Sequence, residues 1–309
     1  MKFDNLYEEL FYKSLRIRLI EKKIIELYPT DKIQSPVHLS IGQEAVAVGV
    51  CQELKTTDLI FPNYRGHAYY LARGGNLKEF FAEIYGKRTG CCRGKGGSMH
   101  LAGPEIGFMG ASAIVASTIP HAVGAAMAAR KLKKDQIIIA VFGDGATDEG
   151  VYHESLNFAS LHKLPVIFVC ENNDLAVHTH TSTRQAYKIF EHAAVYGLPT
   201  HYCEEGYDII KVHEAFSPLV AEARITKLPQ YIEIKTCRYL EHVGVNEDYD
   251  AGYRSVSEIE EWKRKDPLII EKELIDKYQT TILAEIEDAV MFAENSPWPL
   301  LEDLLTDVI

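Results

Sequence analysis

Long apolar runs and basic charge are both scarce in this sequence, and each scarcity excludes a class of partner. No stretch approaches the roughly 18 apolar residues that a membrane helix needs. The first residues mix charges of both signs, so they lack the apolar core of a signal peptide. With 33 basic and 44 acidic residues, the formal net charge is −11. This balance argues against a nucleic acid or a membrane as a partner.

Cysteines are few and are not spaced as a disulfide framework or a metal site would require. The six cysteines include no CxxC pair, and a chain of 309 residues does not need disulfide staples. Adjacent Cys91 and Cys92 could form a redox pair. Reduced structural thiols are the favoured interpretation, because vicinal disulfides are strained. Together with the absence of a leader, this pattern predicts a cytoplasmic protein.

Helices are expected along most of the chain from the spacing of apolar residues. A capping box of Ser257 and Glu260 is expected to open a helix that Pro267 interrupts. The glycine-dense stretch 86–110 predicts a long loop, and such loops inside compact domains are usually functional or disordered. Further helices are expected at residues 5–28, 42–54, 118–131, 149–162 and about 282–294.

Three segments are apolar on both faces, as strands buried between two helix layers must be. They are QIIIAVFGDG at 136–145, LPVIFVCENN at 164–173 and YIEIKTCRYL at 231–240. The first two flank a predicted helix, which indicates a parallel crossover. We therefore expect an α/β fold with a doubly wound, mostly parallel sheet and helices on both faces. With no repeat or linker visible, residues 1–309 are expected to form a single domain, with a helical arm at 1–30 and C-terminal helices at 256–309.

Polar residues follow two of these strands, at the edge of the sheet where such folds bind ligands. Asp144 offers a hard carboxylate oxygen and Asn173 a neutral amide oxygen. Together with a backbone carbonyl, water and diphosphate oxygens, they would suit octahedral magnesium. Gly143 and Gly145 would let the backbone approach a diphosphate, and the next helix would present its N-terminus to it.

Each of these two motifs, taken alone, is more simply interpreted as a turn. Their joint occurrence at the ends of two buried strands favours the metal site. A dinucleotide fingerprint lacks its third glycine, because Asp148 stands at that position, and no ATP-binding P-loop is present. A magnesium-dependent phosphotransferase would need a further acidic cluster or a nucleotide loop, and neither is found.

Several motifs in a fixed order carry a resemblance to a known family. GDGATDEGVYHESLNFASLHKLPVIFVCENN resembles the thiamine diphosphate motif, in which GDG is followed by NN after one crossover. HLSIGQEAVAVGV, FPNYRGHAYYLARG, GKGGSMH and ASAIVASTIPHAVGAA are similar to segments of the α subunit of the 2-oxo acid dehydrogenases. That family includes the pyruvate, branched-chain and acetoin enzymes. The resemblance extends from about residue 10 to residue 295.

The resemblance implies a set of site residues. Asp144 and Asn173 would bind magnesium through their side chains, and Leu175 would bind it through its carbonyl oxygen. The family usually has tyrosine at this last position, a change that a backbone ligand tolerates. The implied cofactor-binding residues are Tyr64, Arg65, Ala113, Val115, Gly143, Asp144, Gly145, Ala146, Asn173 and His242.

Two histidines match the active-site histidines of this subunit. With a pKa near neutrality, His38 and His242 could hold a proton beside the carboxylate or the developing alkoxide of a substrate. The other histidines near the motifs, His100, His178 and His180, are interpreted as loop or packing residues.

The resemblance implies an enzyme that uses thiamine diphosphate and Mg²⁺ to decarboxylate a 2-oxo acid. The acyl group would pass to a lipoyl arm on an acyltransferase or, as the alternative, to an aldehyde or ketone in a carboligase. A non-catalytic regulatory subunit would be expected to lack a metal ligand. The family's activating glutamate belongs to a separate β subunit, so an α2β2 heterotetramer is implied and this chain alone would be inactive.

One segment departs from the family pattern. LEHVGVNEDYDAGYR keeps His242 and the closing Tyr253-Arg254. Val243 replaces the serine that is phosphorylated in mitochondrial enzymes, so that regulation cannot apply at this position. The loop is also longer and more acidic than usual. Because it borders the implied substrate entrance, it bears on the identity of the acceptor.

Overall fold

A computed structural model of the chain describes residues 2–306. Its central sheet has five parallel strands in the order β1-β2-β3-β7-β6, and β4 and β5 form a separate antiparallel hairpin. The strands are β1 Leu59–Phe61, β2 Ile138–Gly143, β3 Val166–Asn172, β4 Leu175–Ala176, β5 Thr179–His180, β6 Thr200–Cys203 and β7 Gln230–Lys235.

Helices occupy most of the remaining chain. The helices are α1 Leu6–Leu27, α2 Glu44–Gln52, α3 His67–Ala72, α4 Leu77–Ile84, α5 Thr118–Lys131, α6 Gly150–Leu161, α7 Thr181–Arg184, α8 Ile189–Ala194, α9 Ile209–Thr226, α10 Val256–Lys263, α11 Pro267–Ile270 and α12 Lys272–Asn295. Short 3₁₀ turns lie at Tyr28–Thr30, Pro104–Ile106, Asp144–Asp148 and Leu301–Leu305. In residues 2–306 we find no helix that is both long and apolar enough to cross a membrane.

Both faces of the sheet are covered by helices, because successive side chains of each buried strand point to opposite sides. Ile139 and Val141 of β2 pack into one core with α1, α2, α3, α4, α9 and α12. Ala140 and Phe142 of the same strand pack into a second core with α5, α6 and α8. The expected doubly wound parallel sheet with helices on both faces is confirmed.

The N-terminal helix is attached to the sheet layer through a buried ion network. Arg18 of α1 donates to Glu44 of α2 and, at 2.8 Å, to Asp266, which caps α11. All three side chains are buried. Removing Arg18 would leave two buried carboxylates without their counter-charge, which is strongly destabilising. This network holds α2, and therefore the segment just before it, in place beside the sheet.

Three sequence predictions need correction. The capping box of Ser257 and Glu260 is wrong, because α10 begins at Val256 and its cap residue is Ser255, two residues earlier than predicted and without a side-chain capping bond. The last helix is α12, which extends well beyond 282–294 at its N-terminal end. The third strand stops at Lys235, where the chain leaves the sheet toward the ligand-binding edge.

The glycine-dense loop 86–110 is ordered around one buried carboxylate. Glu83 of α4 accepts hydrogen bonds from the backbone amides of Cys92 and Gly94 at 2.7 and 2.9 Å. Its other oxygen accepts from Gly96 and Gly97 at 2.7 and 3.0 Å. These four bonds fix the middle of the loop, residues 92–97, on α4. They also occupy both oxygens of the carboxylate, so the nearby thiols do not gain a free acidic metal ligand.

Candidate active site

The predicted site residues meet at one edge of the sheet. Gly143 at the end of β2 pairs with Glu171 of β3, so the segments that follow both strands emerge side by side. They border a cavity of about 350 Å³. Every candidate residue from the sequence lines it: His38, Tyr64, Arg65, Ala113, Val115, Gly143, Asp144, Gly145, Ala146, Asn173, Leu175 and His242.

Asp144 opens the 3₁₀ turn directly after β2 and is only 1% exposed. Its Oδ2 accepts a hydrogen bond from Arg184 Nη2 at 2.5 Å and one from Thr181 Oγ1 at 3.4 Å. Burial raises the pKa of Asp144 to about 6, although Arg184 acts in the opposite direction. A buried carboxylate at a cavity wall is well suited to bind a cation.

Asn173 and Leu175 are placed by a tight turn after β3. The backbone amide of Leu175 donates to Asn173 Oδ1 at 3.1 Å, and Asn173 Nδ2 donates to Gln43 Oε1 at 3.4 Å. Between them, Asp174 has a left-handed backbone with φ of 64°, a conformation that Asp and Asn tolerate better than most residues. The turn carries the chain into the hairpin of β4 and β5.

Gly143 and Gly145 are explained by different features of the structure. A Cβ on Gly145 would come within 2.9 Å of Ala176 Cβ, so the hairpin can pack only against a residue without a side chain. A Cβ on Gly143 would meet nothing nearer than Glu171 O at 3.9 Å. Protein packing therefore does not require Gly143, and its bare backbone faces the space where a ligand would approach.

Arg65 is buried at the cavity wall and bonded to carbonyl oxygens. Its Nη1 donates to Leu39 O at 2.6 Å, and its Nη2 donates to His242 O at 3.2 Å. Burial lowers the pKa of Arg65, but an arginine stays protonated at neutral pH. Because both acceptors are neutral, the site holds a positive charge that an anionic ligand would stabilise.

The rings of the two candidate histidines meet edge to face, with Tyr64 beside them. The ring centroids of His38 and His242 are 5.1 Å apart, and the Tyr64 ring lies 4.5 Å from His38 and 5.6 Å from His242. Burial, followed by the charge of Arg65, lowers the pKa of His38 to about 2 and that of His242 to about 3. The expected near-neutral pKa is therefore wrong, and both rings are neutral at pH 7.

His242 is supported by the acidic loop that the sequence singled out. Arg238, which is almost fully buried, places Nη1 3.3 Å from His242 Nδ1 and donates through Nη2 to the Tyr253 hydroxyl at 3.1 Å. Asp248 of the loop forms ion pairs with both Arg238 and Arg254. The added acidic residue thus neutralises arginines that stand behind the histidine.

The remaining histidines near the motifs do not line the cavity. His180 contacts Asp174 Oδ2 at 2.6 Å and Tyr253 O at 2.5 Å, and the His178 ring lies 4.6 Å from the Tyr253 ring. These contacts join the hairpin to the loop that carries Tyr253. His100 accepts a hydrogen bond from Cys92 at its carbonyl oxygen. Loop and packing roles agree with all three positions.

Several lining residues were not singled out from the sequence. Glu171 is buried, and burial raises its pKa to about 7. Gln43 and Glu171 stand inside motifs that were recognised, IGQEA and CENN, so their positions were available although their roles were not. Arg184 had no sequence signal, because it reaches Asp144 only through the fold. The newly found lining residues include Gln43, Asn63, Met99, Thr118 and Glu171.

The cysteines agree with the favoured interpretation. All six are free thiols, and Cys91 and Cys92 are partly buried in the ordered glycine-rich loop. The pKa of Cys92 is lowered by a hydrogen bond from Cys91, while the pKa of Cys91 is raised by the same contact.

Comparisons with known proteins all point to the same family. The sequence model of the family described as dehydrogenase E1 component matches residues 12–301. The α subunit of acetoin:2,6-dichlorophenolindophenol oxidoreductase from Bacillus subtilis (strain 168) is 38% identical over 307 residues, which cover 97% of this chain and 92% of that one. The pyruvate dehydrogenase E1 component α subunit from Rhizobium meliloti (strain 1021) is 36% identical over 312 residues, covering 97% and 88%.

A structural comparison supports the fold alone. Transketolase from Campylobacter jejuni superimposes with a TM-score of 0.59 at 17% identity, over 92% of this chain and 49% of that chain. The architecture is therefore shared with a larger enzyme, while the sequence relationship is carried by the curated relatives. Since the family model spans most of the sequence and the relatives cover nearly all of it, this chain belongs to the dehydrogenase E1 component family.

Proposed function

We propose that this chain is the α subunit of an enzyme that uses thiamine diphosphate and Mg²⁺ to decarboxylate a 2-oxo acid. The observation that carries the proposal is the convergence of Asp144, Asn173 and Leu175 on one cavity at the carboxyl edge of the sheet. They offer a carboxylate, an amide and a carbonyl oxygen, the hard ligands that Mg²⁺ prefers when phosphate oxygens complete its shell.

The remaining cavity fits the rest of the cofactor. Gly143 leaves its backbone open, and Arg65 holds a positive charge whose hydrogen-bond partners are neutral carbonyls. Gly145 and Ala146 would lie along the diphosphate, with Tyr64 and Arg65 near its oxygens. Ala113 and Val115 line the same cavity, where they would meet the aminopyrimidine ring through their backbone.

Thiamine diphosphate would supply the carbanion chemistry by which a 2-oxo acid loses carbon dioxide. The contribution of this chain is to bind, orient and manage protons. His38 and His242 are the candidate catalytic residues. Burial and nearby arginines keep the pKa of both rings low. A bound anion would raise both pKa values and so let the rings take up a proton. His38 Nδ1 is buried without a hydrogen-bond partner, which leaves it available to a ligand group.

The second half of the active site is proposed to come from a β subunit. In this proposal the β subunit supplies the glutamate that activates the cofactor, and the two chains form an α2β2 heterotetramer. The exposed apolar residues Ile114 and Val115 at the cavity mouth suit burial by such a partner, since they are 71% and 43% exposed. The chain on its own would then be inactive.

The acceptor of the acyl group distinguishes two versions of the proposal. Transfer to a lipoyl group on an acyltransferase is favoured by the E1 family membership. Carboligation to an aldehyde or ketone is the alternative, because the acidic loop beside His242 departs from the family pattern. A non-catalytic subunit and a phosphotransferase are less favoured, since all three metal-ligand positions line the cavity. A reducing compartment such as the cytoplasm suits the free thiols.

A native pull-down of the tagged chain, with every co-purifying protein identified by mass spectrometry, tests the assembly. We expect a stoichiometric β subunit carrying the activating glutamate, together with a lipoyl acyltransferase. The same β subunit without an acyltransferase would favour carboligation. Recovery of the chain without any β subunit would contradict the two-chain enzyme.

A further inference from the structure

A half-buried arginine, Arg184, joins the two elements that carry the proposed metal ligands. Arg184 ends α7, directly after the hairpin that begins with Leu175. Its Nη2 reaches Asp144 Oδ2 at 2.5 Å, and its Nη1 forms an ion pair with Asp148, at the other end of the same 3₁₀ turn. One guanidinium therefore connects the segment after β2 with the hairpin after β3.

The contacts on Asp144 are unequally divided between its two oxygens. The hydrogen bonds from Arg184 and from Thr181 both end on Oδ2, while Asp144 also lines the cavity. A carboxylate with one oxygen held in this way cannot rotate freely. The planar guanidinium spans Asp144 and Asp148 at once, which a lysine ammonium does less well because it is a compact point charge.

Polar side chains around the turn reinforce the same arrangement. Gln185 Nε2 donates to Asp148 Oδ1 at 2.6 Å and also reaches Thr147 Oγ1. Thr147 Oγ1 in turn donates to Asp144 O at 2.7 Å. Arg184 and Gln185 are adjacent in sequence, so the end of α7 forms hydrogen bonds to residues at both ends of the Asp144–Asp148 turn. Partners of this kind set the orientation of metal ligands and tune metal affinity in other proteins.

We propose that Arg184 is a positioning residue for the metal site: by holding Asp144 Oδ2 and Asp148, it fixes the Asp144 carboxylate and the Leu175 hairpin in their metal-binding arrangement. This inference rests on the proposed function, because it takes Asp144 as a metal ligand. Arg184 is not among the residues that line the cavity, and a guanidinium has no lone pair to offer a metal ion. Its loss should reduce metal affinity without removing the site.

A role for Arg184 as a competitor of the metal makes a different prediction. If Arg184 instead occupied the position of the metal cation, it would compete with the metal, and its removal would tighten metal binding. The observed geometry favours positioning, because the arginine also holds Asp148, and because its neighbour Gln185 holds the same turn. The sign of the change in metal affinity separates the two roles.

The test uses the chain assembled with its β subunit and measures free Mn²⁺ by electron paramagnetic resonance in the presence of thiamine diphosphate. Mn²⁺ substitutes for Mg²⁺ as the probe. The variants are R184Q, R184K and D144N. The matched control is R16Q, which breaks a bidentate pair between Arg16 and Glu285 on α1 and α12, remote from the cavity in the fold. Thermal unfolding of each assembled variant reports whether the fold is retained.

We expect R184Q to raise the Kd of Mn²⁺ by about tenfold, which corresponds to about 1.4 kcal/mol. R184K should recover part of the affinity, and R16Q should bind as the unsubstituted enzyme does. Unchanged or tighter binding by R184Q would overturn the positioning role, as would equal losses in R184Q and R16Q. If R184Q does not fold, R184K alone decides: a several-fold weaker affinity supports the inference, and normal affinity contradicts it.

Failure of the proposed function would give a different result, namely no Mn²⁺ binding by the unsubstituted enzyme, or undiminished Mn²⁺ binding by D144N.

Discussion

Arg238 Nη1 lies 3.3 Å from His242 Nδ1, and this contact selects one form of the imidazole. A guanidinium nitrogen can only donate a hydrogen bond, so Nδ1 of His242 must accept it and the ring proton must reside on Nε2. The same arginine is a cation that helps to lower the pKa of His242 to about 3, after burial and the charge of Arg65. Arg238 therefore controls both the tautomer and the charge of a candidate catalytic histidine.

Replacement of Arg238 should release this control. In R238M we expect His242 to lose its preference for the Nε2-protonated tautomer and its pKa to rise, because one neighbouring cation is gone. Side-chain ¹⁵N NMR of the histidine-labelled chain measures the tautomer at neutral pH. R238K should keep the pKa low while weakening the tautomer preference, and R254M serves as a control at the adjacent arginine. Unchanged His242 nitrogen shifts in R238M would show that the contact has no influence.

Acid should destabilise the fold through His38. The pKa of His38 is lowered to about 2 by burial, whereas an unfolded histidine titrates near 6.5. Between these values the unfolded chain binds a proton that the native chain does not. The free energy of unfolding therefore falls as the pH drops below about 6.5, by about 1.4 kcal/mol per pH unit for this one group.

Urea unfolding at pH 6 and pH 5 measures this dependence. H38N should show a smaller loss of stability over that interval than the unsubstituted chain, by about 1 kcal/mol. H201N, at an exposed histidine of β6, should leave the loss unchanged. Equal losses of stability between pH 6 and pH 5 in H38N and in the unsubstituted chain would contradict this role of His38.

The glycine-rich loop should depend on Glu83. An amide side chain in E83Q would present two donors to a ring of four backbone donors, so some of the amides of Cys92, Gly94, Gly96 and Gly97 would lose their acceptor. We expect a decrease of about 3 kcal/mol in the free energy of unfolding, from charge-assisted hydrogen bonds lost in a buried site. Hydrogen exchange of residues 90–98 should also accelerate.

E79Q provides the comparison for E83Q, because Glu79 lies on the same helix and its side chain accepts a hydrogen bond from Asn76 instead of from the loop. That variant should stay within about 0.5 kcal/mol of the unsubstituted chain. Equal stability and equal loop exchange in E83Q and E79Q would contradict the anchoring role of Glu83.

Cofactor affinity should depend on Arg65. In R65A we expect the Kd of thiamine diphosphate at saturating Mg²⁺ to rise by about tenfold or more, since a buried charge that could pair with phosphate oxygens is removed. R65K keeps the charge but not the planar fork, so its affinity should be intermediate. Calorimetry on the assembled enzyme gives the values, and circular dichroism confirms that the fold is retained. Normal affinity in R65A would remove Arg65 from the cofactor site.

Two metal ligands and the glycines that flank Asp144 could be predicted because they follow strands that the apolar pattern identifies, while the other site residues were implied by the family resemblance. Asp144 follows the buried run of β2, and Asn173 follows that of β3, so a parallel sheet necessarily brings them to one edge. The short strands β1 and β6 were not predicted. Three or four residues at the sides of a sheet carry too little periodicity to stand out.

The residues that contact the proposed ligands from behind could not be predicted from the sequence, because their contacts form only in the folded chain. Arg184 lies 40 positions from Asp144 along the chain, and the contact exists only because the hairpin folds back on the turn. The histidine pKa values depend on burial and on Arg65 and Arg238, which the sequence does not place around them. Gly145 illustrates a further limit, since close packing against Ala176 requires glycine there irrespective of any ligand.

The most direct measurement is a calorimetric titration of the assembled α and β chains with thiamine diphosphate, with and without Mg²⁺, for the unsubstituted enzyme and for D144A. The account predicts magnesium-dependent binding by the unsubstituted enzyme and no magnesium-dependent binding by D144A, because that substitution removes the carboxylate at the centre of the proposed metal site. Equal affinity in the two proteins would contradict the account.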